Sequence, residues 1–311
     1  MKKAILFSAL FACAAVSGLA GAASDPARPL ISAQPLIEQS RNYAVLNAQN
    51  LSERRYTVDT PSAQAAQFGF KLKGYVFGIK MITAHYNGYI DGPSYAAYTD
   101  IKTSGLGALL KKMEIWAVSK GSFERSGLTP EFHVQQNMDK KNRRVEMNYD
   151  ASEKAVDVEI LPTLGSQGVP PASPEERYSA KDTISAILTM MMQGQRLDQP
   201  LCEGHVRVFD SKQHYRLRME VLGTGKERIG RKKVPTTVCA VYYEPINGFD
   251  PEDLPSTEEG STPIKIEFMA RPDLGLNVPV KFTYKISAIK AVIKLDEMAW
   301  IVPPAAENHT P

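Results

Sequence analysis

From Ala66 onward, apolar and polar side chains alternate in short runs. Phe68, Phe70 and Leu72 alternate with Gly69, Lys71 and Lys73, and Ile79, Met81 and Thr83 with Lys80, Ile82 and Ala84. Tyr95, Ala97 and Thr99 continue the pattern. A period of two, broken by Gly, Asn, Asp and Pro, predicts strands and hairpins. Val145–Tyr149 and Ala155–Leu161 form one predicted pair around the Asp150-Ala151-Ser152-Glu153 turn. Val206–Phe209 and Tyr215–Val221 form another around Ser211-Lys212, and a two-residue turn there sets His214 opposite Phe209. Val238–Tyr243, Ile264–Met269, Val280–Ile286 and Ala288–Leu295 complete the set. Closely spaced strands without alternating helices predict an antiparallel sheet.

Two segments carry a helical period instead. Leu106, Leu109, Leu110 and Met113 recur at i, i+3, i+4 and i+7. Ser179-Ala180-Lys181-Asp182 reads as a capping box, followed by Ile184, Ile187, Leu188 and Met191 at the same spacing, with Gly194 as the stop. Ala186, Met190 and Met192 leave this second helix almost no polar face. A helix apolar nearly all round needs burial on several sides, so it is expected inside a strongly curved sheet. Residues 162–177 and Asn247–Pro263 read as loops, the second acidic through Asp250, Glu252, Asp253, Glu258 and Glu259.

The beginning of the chain changes the picture. Lys2 and Lys3 precede an apolar run from Ala4 to Val16 and a small-x-small site at Ala20-Gly21-Ala22. This is the pattern of a secretory signal peptide over residues 1–22, cleaved after Ala22 or, as the alternative, after Ala23. A lipoprotein box at Leu10-Phe11-Ala12-Cys13 is the competing reading; bulky Phe11 and the continuing apolar run weigh against it. Residues 23–65, rich in Pro, Ala, Ser, Gln and Asn, read as a flexible lead, residues 66–302 as one curved-sheet domain and 303–311 as a tail. The chain of 311 residues holds 37 Lys and Arg against 34 Asp and Glu, so the mature charge is 37 − 2 − 34 = +1. Bulk charge gives no attraction to nucleic acid. No later stretch is long and apolar enough for a spanning helix. The expected compartment is the periplasm.

Two cysteines follow the signal, Cys202 and Cys239. In an exported chain the simplest pairing is one disulfide, closing a loop of 239 − 202 = 37 positions. Chain entropy assigns such a closure about 4 kcal/mol. No Cys-x-x-Cys redox motif is present.

Several stretches together resemble the bacterial domain-of-unknown-function 3108 family. They are Tyr98-Thr99-Asp100-Ile101-Lys102-Thr103-Ser104-Gly105-Leu106, GSFERSGLTPEF at 121–132 and DTISAILTMMMQ at 182–193. PLCEGHVRVFDSKQHYRL at 200–217, CAVYYEPINGF at 239–249 and VPVKFTY at 278–284 extend the match. The Cys-x-Gly element followed by a Val-Phe-Asp hairpin is the most specific part. Where the family pattern commonly has Gly after that Asp, this chain has Ser211. The resemblance implies an exported envelope protein and a mainly β fold. That fold is a single strongly curved, partly rolled antiparallel sheet, β-spiral or unclosed-barrel-like, with one or two packed helices. Such shapes resemble periplasmic carriers of acyl chains. The resemblance brings no catalytic residues.

Motif chemistry is sparse. The chain has no His-Glu-x-x-His, Gly-x-Ser-x-Gly or Walker loop. Gly223-Thr224-Gly225 reads as a hairpin turn. His205, Asp210 and His214 suggest a metal site, but strand geometry separates the two histidines by roughly 13 Å while zinc needs ligands at about 2 Å. His85 and His133 have no acidic neighbour in sequence and read as surface or packed residues. No metal or cofactor is expected.

Met190-Met191-Met192 reads in two ways, as an ordinary core helix or as an adaptable apolar surface. On the second reading Leu106, Leu109, Leu110, Trp116, Ile187, Leu188 and Met191 line a site for a lipid or acyl chain. Lys226, Arg228, Arg231, Lys232 and Lys233 form a basic run suited either to solvent or to an anionic lipid or acidic partner, and Arg143-Arg144 with Lys140-Lys141 forms a second. The expectation is a non-enzymatic envelope protein that binds an apolar ligand. The alternatives are a scaffold acting through protein contacts and a hydrolase whose site is invisible in sequence.

Overall fold

The structure is a computed structural model that describes residues 61–110, 113–138 and 142–302. The expected signal peptide, Cys13, residues 23–60, Lys140-Lys141 and the expected tail from 303 lie outside the described residues.

The described residues form thirteen strands. The first seven are β1 (Ala66–Val76), β2 (Ile79–Asp91), β3 (Ser94–Thr103), β4 (Glu114–Glu124), β5 (Gly127–Asn137), β6 (Arg144–Asp150) and β7 (Ala155–Leu161). The remaining six are β8 (His205–Phe209), β9 (His214–Ile229), β10 (Lys232–Asn247), β11 (Ile264–Arg271), β12 (Leu276–Ile286) and β13 (Ile289–Ile301). Among the described residues four α-helices accompany them: α1 (Leu106–Leu110), α2 (Pro174–Ser179), α3 (Thr183–Met192) and α4 (Thr257–Ser261). The strands make one antiparallel sheet in the order β7-β6-β5-β4-β3-β2-β1-β13-β12-β11-β10-β9-β8. The fold is therefore mainly β, a single curved sheet not closed into a barrel.

Every neighbouring pair but one is a local hairpin; the exception is the seam where β1 pairs with β13. The hairpins at Asp150–Ala155 and Phe209–His214 form in the expected register. Irregular pairing steps at Lys71/Leu72, Gly74/Tyr75, Lys120/Gly121, Val238/Cys239 and Glu267/Phe268 bend the sheet. A bulge adds local twist and turns a strand, and repeated bulges roll the sheet.

The sheet rolls around α3. That helix contacts β3, β4 and β5 on one side and β8 and β12 on the other. Its apolar side chains share one core with Phe68, Phe70, Ile266, Val278, Val280 and Ile293. The chain must travel from edge strand β7 to the opposite edge strand β8, and α2 and α3 make that passage. Where the edges approach, Phe209 of β8 packs with Val145, Met147 and Val156 of β6 and β7. Lys181 bridges the flank of β8, its amide donating to the Arg207 carbonyl at 3.0 Å and its carbonyl accepting from Phe209 at 2.9 Å. This covers an otherwise open edge.

Four expectations are corrected. Gly223-Thr224-Gly225 is not a turn: it lies within β9, and the turn falls at Gly230-Arg231. The stretch read as a loop before Tyr178 contains α2, whose cap is a Ser173/Glu176 capping box. A second such box, Ser256/Glu259, starts α4 inside the acidic loop. Ser179 closes α2 rather than capping α3; Asp182 caps α3.

Candidate functional site

The concave side of the sheet holds α3, and polar side chains fix both its ends. Asp182 accepts the Ile184 and Ser185 amides, each at 2.9 Å, on Oδ1. This N-cap bond satisfies amides that have no partner within the helix. The same carboxylate accepts Ser119 Oγ at 2.6 Å and Ser185 Oγ at 2.5 Å. His133 Nδ1 lies 2.8 Å from Ser119 Oγ and 3.2 Å from Asp182 Oδ1. Ser119 on β4 stands directly across from His133 on β5. Tyr95 Oη meets Ser185 Oγ at 2.8 Å, and Tyr86 Oη donates to the Ile184 carbonyl at 3.1 Å. At the far end, Asn277 of β12 donates to the Gln193 carbonyl at 2.6 Å. Gly194, with φ +64, then ends the helix as expected.

Asp182, Ser119 and Ser185 are fully buried and His133 is 3% exposed. Burial alone would raise the Asp182 carboxyl; the His133 charge and the bonds from His133, Ser119 and Ser185 outweigh it and hold it below the ordinary range. Burial, helped by the Asp182 charge, pushes the Tyr86 and Tyr95 phenols well up, so both stay protonated donors. Gly121 makes room for this cluster, since a Cβ there would lie 2.2 Å from the Thr129 carbonyl oxygen and 3.0 Å from Tyr95 Oη.

Ser119, His133 and Asp182 are the residue types of a hydrolytic triad, but their arrangement differs from one. A triad places serine and carboxylate on opposite imidazole nitrogens. Here both approach Nδ1, and the serine hydroxyl donates to the carboxylate. The hydroxyl proton is committed to the carboxylate rather than to the imidazole, and Ser119 is fully buried. The cluster anchors α3.

Of the seven residues expected to line an apolar site, five have described side chains, and those five do not all gather at one place. Ile187, Leu188 and Met191 are buried in the main core. Trp116 lies on the opposite face of the sheet, buried with Tyr89, Tyr98, Val118 and Val134. Alternation dictates this, because Ile115 and Ala117 on either side face the core. Leu106 in α1 is 47% exposed. Leu109 and Leu110 belong to α1, and their side chains lie outside the described residues. The Met run is core: Met190, Met191 and Met192 are 2%, 0% and 0% exposed.

The disulfide joins Cys202 and Cys239 with Cα atoms 5.8 Å apart. It ties the turn after α3 to β10 and leaves the basic hairpin tip outside its buried surroundings. His205, Asp210 and His214 do not converge, and no group of three metal-ligating side chains occurs among the described residues. Asp210 instead accepts the Lys212 and Gln213 amides at 3.3 and 2.8 Å and organises the β8–β9 turn, while burial raises its carboxyl. Ser211, where the family pattern commonly has Gly, takes φ +87. His85 and His133, which have no acidic neighbour in sequence, each meet one through the fold: Asp100 at 3.0 Å and Asp182 at 3.2 Å. Lys226, Arg228, Arg231, Lys232 and Lys233 are all exposed on the β9–β10 hairpin.

The fold defines a class: an antiparallel β-protein rolled short of closure around a helix. The chain belongs to the family described as "Protein of unknown function (DUF3108)", which it matches over residues 68–288. No curated protein matches it. Among solved structures it is similar to a beta-barrel-like protein of domain of unknown function DUF1849 from Brucella abortus. The identity is 8%, over 78% of this chain and 100% of that chain, with a TM-score of 0.41. Among the described residues no helix is long and apolar enough to cross a membrane.

Proposed function

We propose that this is an exported, non-enzymatic protein of the bacterial envelope that works by surface contact rather than by carrying an acyl chain inside its sheet. One observation carries the choice: α3 occupies the concave side, with its three methionines in the core. An internal ligand would have to displace a helix held at both ends by buried hydrogen bonds. The disulfide fits export to an oxidising compartment, and the periplasm is the compartment we assign. The Ser119–His133–Asp182 cluster has the geometry of an anchor, which supports the non-enzymatic reading.

Native mass spectrometry with lipid extraction, on mature protein purified from the periplasm, tests this. The expected mass is that of the polypeptide alone. A bound acyl species, lost on Met191→Ala in a protein that keeps its circular dichroism, overturns the reading in favour of a carrier.

A further inference from the structure

The β9–β10 hairpin is longer than its neighbours allow it to pair. β8 pairs with β9 no further than Arg218, and β11 pairs with β10 from Thr237 onward. Beyond those points the two strands pair with each other alone, out to the turn at Gly230-Arg231. They form an arm.

A bulge decides which way the arm faces. Val221 pairs with Cys239 but Gly223 pairs with Val238, so Leu222 is the extra residue. One extra residue exchanges the two faces of everything that follows it. Past the bulge, Gly225, Glu227 and Ile229 share a face with Thr236 and Val234. That face lies on the main sheet. Thr236 Oγ1 donates to Glu267 of β11 at 3.3 Å. Glu227 receives Lys281 of β12 at 2.8 Å and Lys294 of β13 at 3.7 Å. The arm therefore crosses β11, β12 and β13 in order. Ile229 is buried and Val234 packs against the core.

The consequence is a separation of charge. Glu227, the one acid between Gly223 and Thr236, is turned inward and neutralised by two lysines, which hold its carboxyl below the ordinary range against the opposing effect of burial. Lys226, Arg228 and Lys233 stand on the opposite face and Arg231 in the turn, while Lys232, paired with Ile229 beside the turn, is on the inward-facing side but exposed at the arm's end. All five cations are exposed, in a protein whose charges otherwise nearly balance. The arm is pinned, so this array is held out without further ordering. Val221 and Leu222, about half exposed, add two aliphatic side chains at its base.

We propose that this arm docks the protein on a lipid surface bearing anionic phosphate headgroups. An exposed array of cations, three on the outer face and two at the arm's end, with adjoining aliphatic side chains suits a fluid anionic layer, in which phosphates move to meet each charge. This deepens the surface-contact reading and rests on it.

Vesicle co-sedimentation with the mature chain is the test. The probes are vesicles of phosphatidylcholine alone and of phosphatidylcholine with 30% phosphatidylglycerol, at low and high salt. Binding is expected to the anionic vesicles, to fall at least tenfold in 0.5 M salt, and to be absent with phosphatidylcholine. Replacing all five cations by Gln should weaken anionic binding at least tenfold, while Lys285→Gln with Lys290→Gln, elsewhere on the surface, should leave it within twofold. The substituted side chains are solvent-exposed, and an unchanged thermal midpoint confirms the fold. Wild-type protein that ignores anionic vesicles, binds both kinds equally, or binds undiminished without the five cations overturns the proposal. An acidic protein partner would give the first of these outcomes. Any of them leaves the ligand-free interior intact, since native mass spectrometry reads that separately.

Discussion

Two histidine–aspartate pairs occupy opposite faces of the same sheet. His85 and Asp100 meet at 3.0 Å across β2 and β3, with side chains 26% and 12% exposed. His133 and Asp182 meet at 3.2 Å on the core side, 3% and 0% exposed. Distance and chemistry barely differ; burial and connectivity do. The outer pair contacts solvent, which screens it and competes for its hydrogen bonds. The inner aspartate also holds two backbone amides and two hydroxyls, so it joins β4, β5 and α3 at one point. The two pairs teach that an ion pair's worth lies in what else its members hold.

The sharpest way to break this comparison is to remove each carboxylate. Asp182→Ala should cost about 3–5 kcal/mol in urea unfolding, because it strands a buried histidine and uncaps α3. Ser119→Ala, which takes one donor from the same carboxylate, should cost about 1–3 kcal/mol. A third histidine separates burial from pairing. His214 is 1% exposed, its nearest carboxylate oxygen is on Glu176 at 4.0 Å, and burial lowers its pKa from 6.5. Between 6.5 and that lowered value the unfolded chain binds the extra proton. Stability should therefore begin to fall as pH drops below 6.5, by at most about 1.4 kcal/mol per pH unit, and His214→Phe should flatten the slope. Asp182 behaves in the opposite range: its stabilisation is fully present above 3.8 and is lost as pH falls through its lowered pKa. Asp182→Asn should remove that acid limb from a pH series of thermal melts. Smallest of all, Asp100→Ala should cost about 0–1 kcal/mol. If it cost as much as Asp182→Ala, the comparison would fail.

The outer pair was readable in principle. Asp91 pairs with Ser94 around a Gly92-Pro93 turn, and counting outward places His85 opposite Asp100. Looking for acidic neighbours along the chain misses a partner that pairing supplies. The inner pair was not readable. The bulge at Lys120/Gly121 shifts the register that sets Ser119 against His133, and Asp182 reaches them through the rolling of the sheet. Likewise α3 and its need for burial follow from Ile184, Ile187, Leu188 and Met191, whereas its anchors come from strands far away in sequence. The arm was hidden by local chemistry. Gly223-Thr224-Gly225 has turn composition, but the strand passes through it with a bulge, and Gly230 with φ +57 makes the turn.

The seam between β1 and β13 also orders events in time. Lys71 meets Glu297 across 226 residues, while each remaining strand pairing joins neighbours in sequence. The meanders β1–β7 and β8–β13 can each begin from nearby contacts as they emerge, but the seam must await β13. Contacts of such separation slow folding. During synthesis one edge of β1 would stand unpaired until nearly the whole chain had followed. Strand edges left open in this way attract other chains, so the interval before seam closure is when this protein most needs protection.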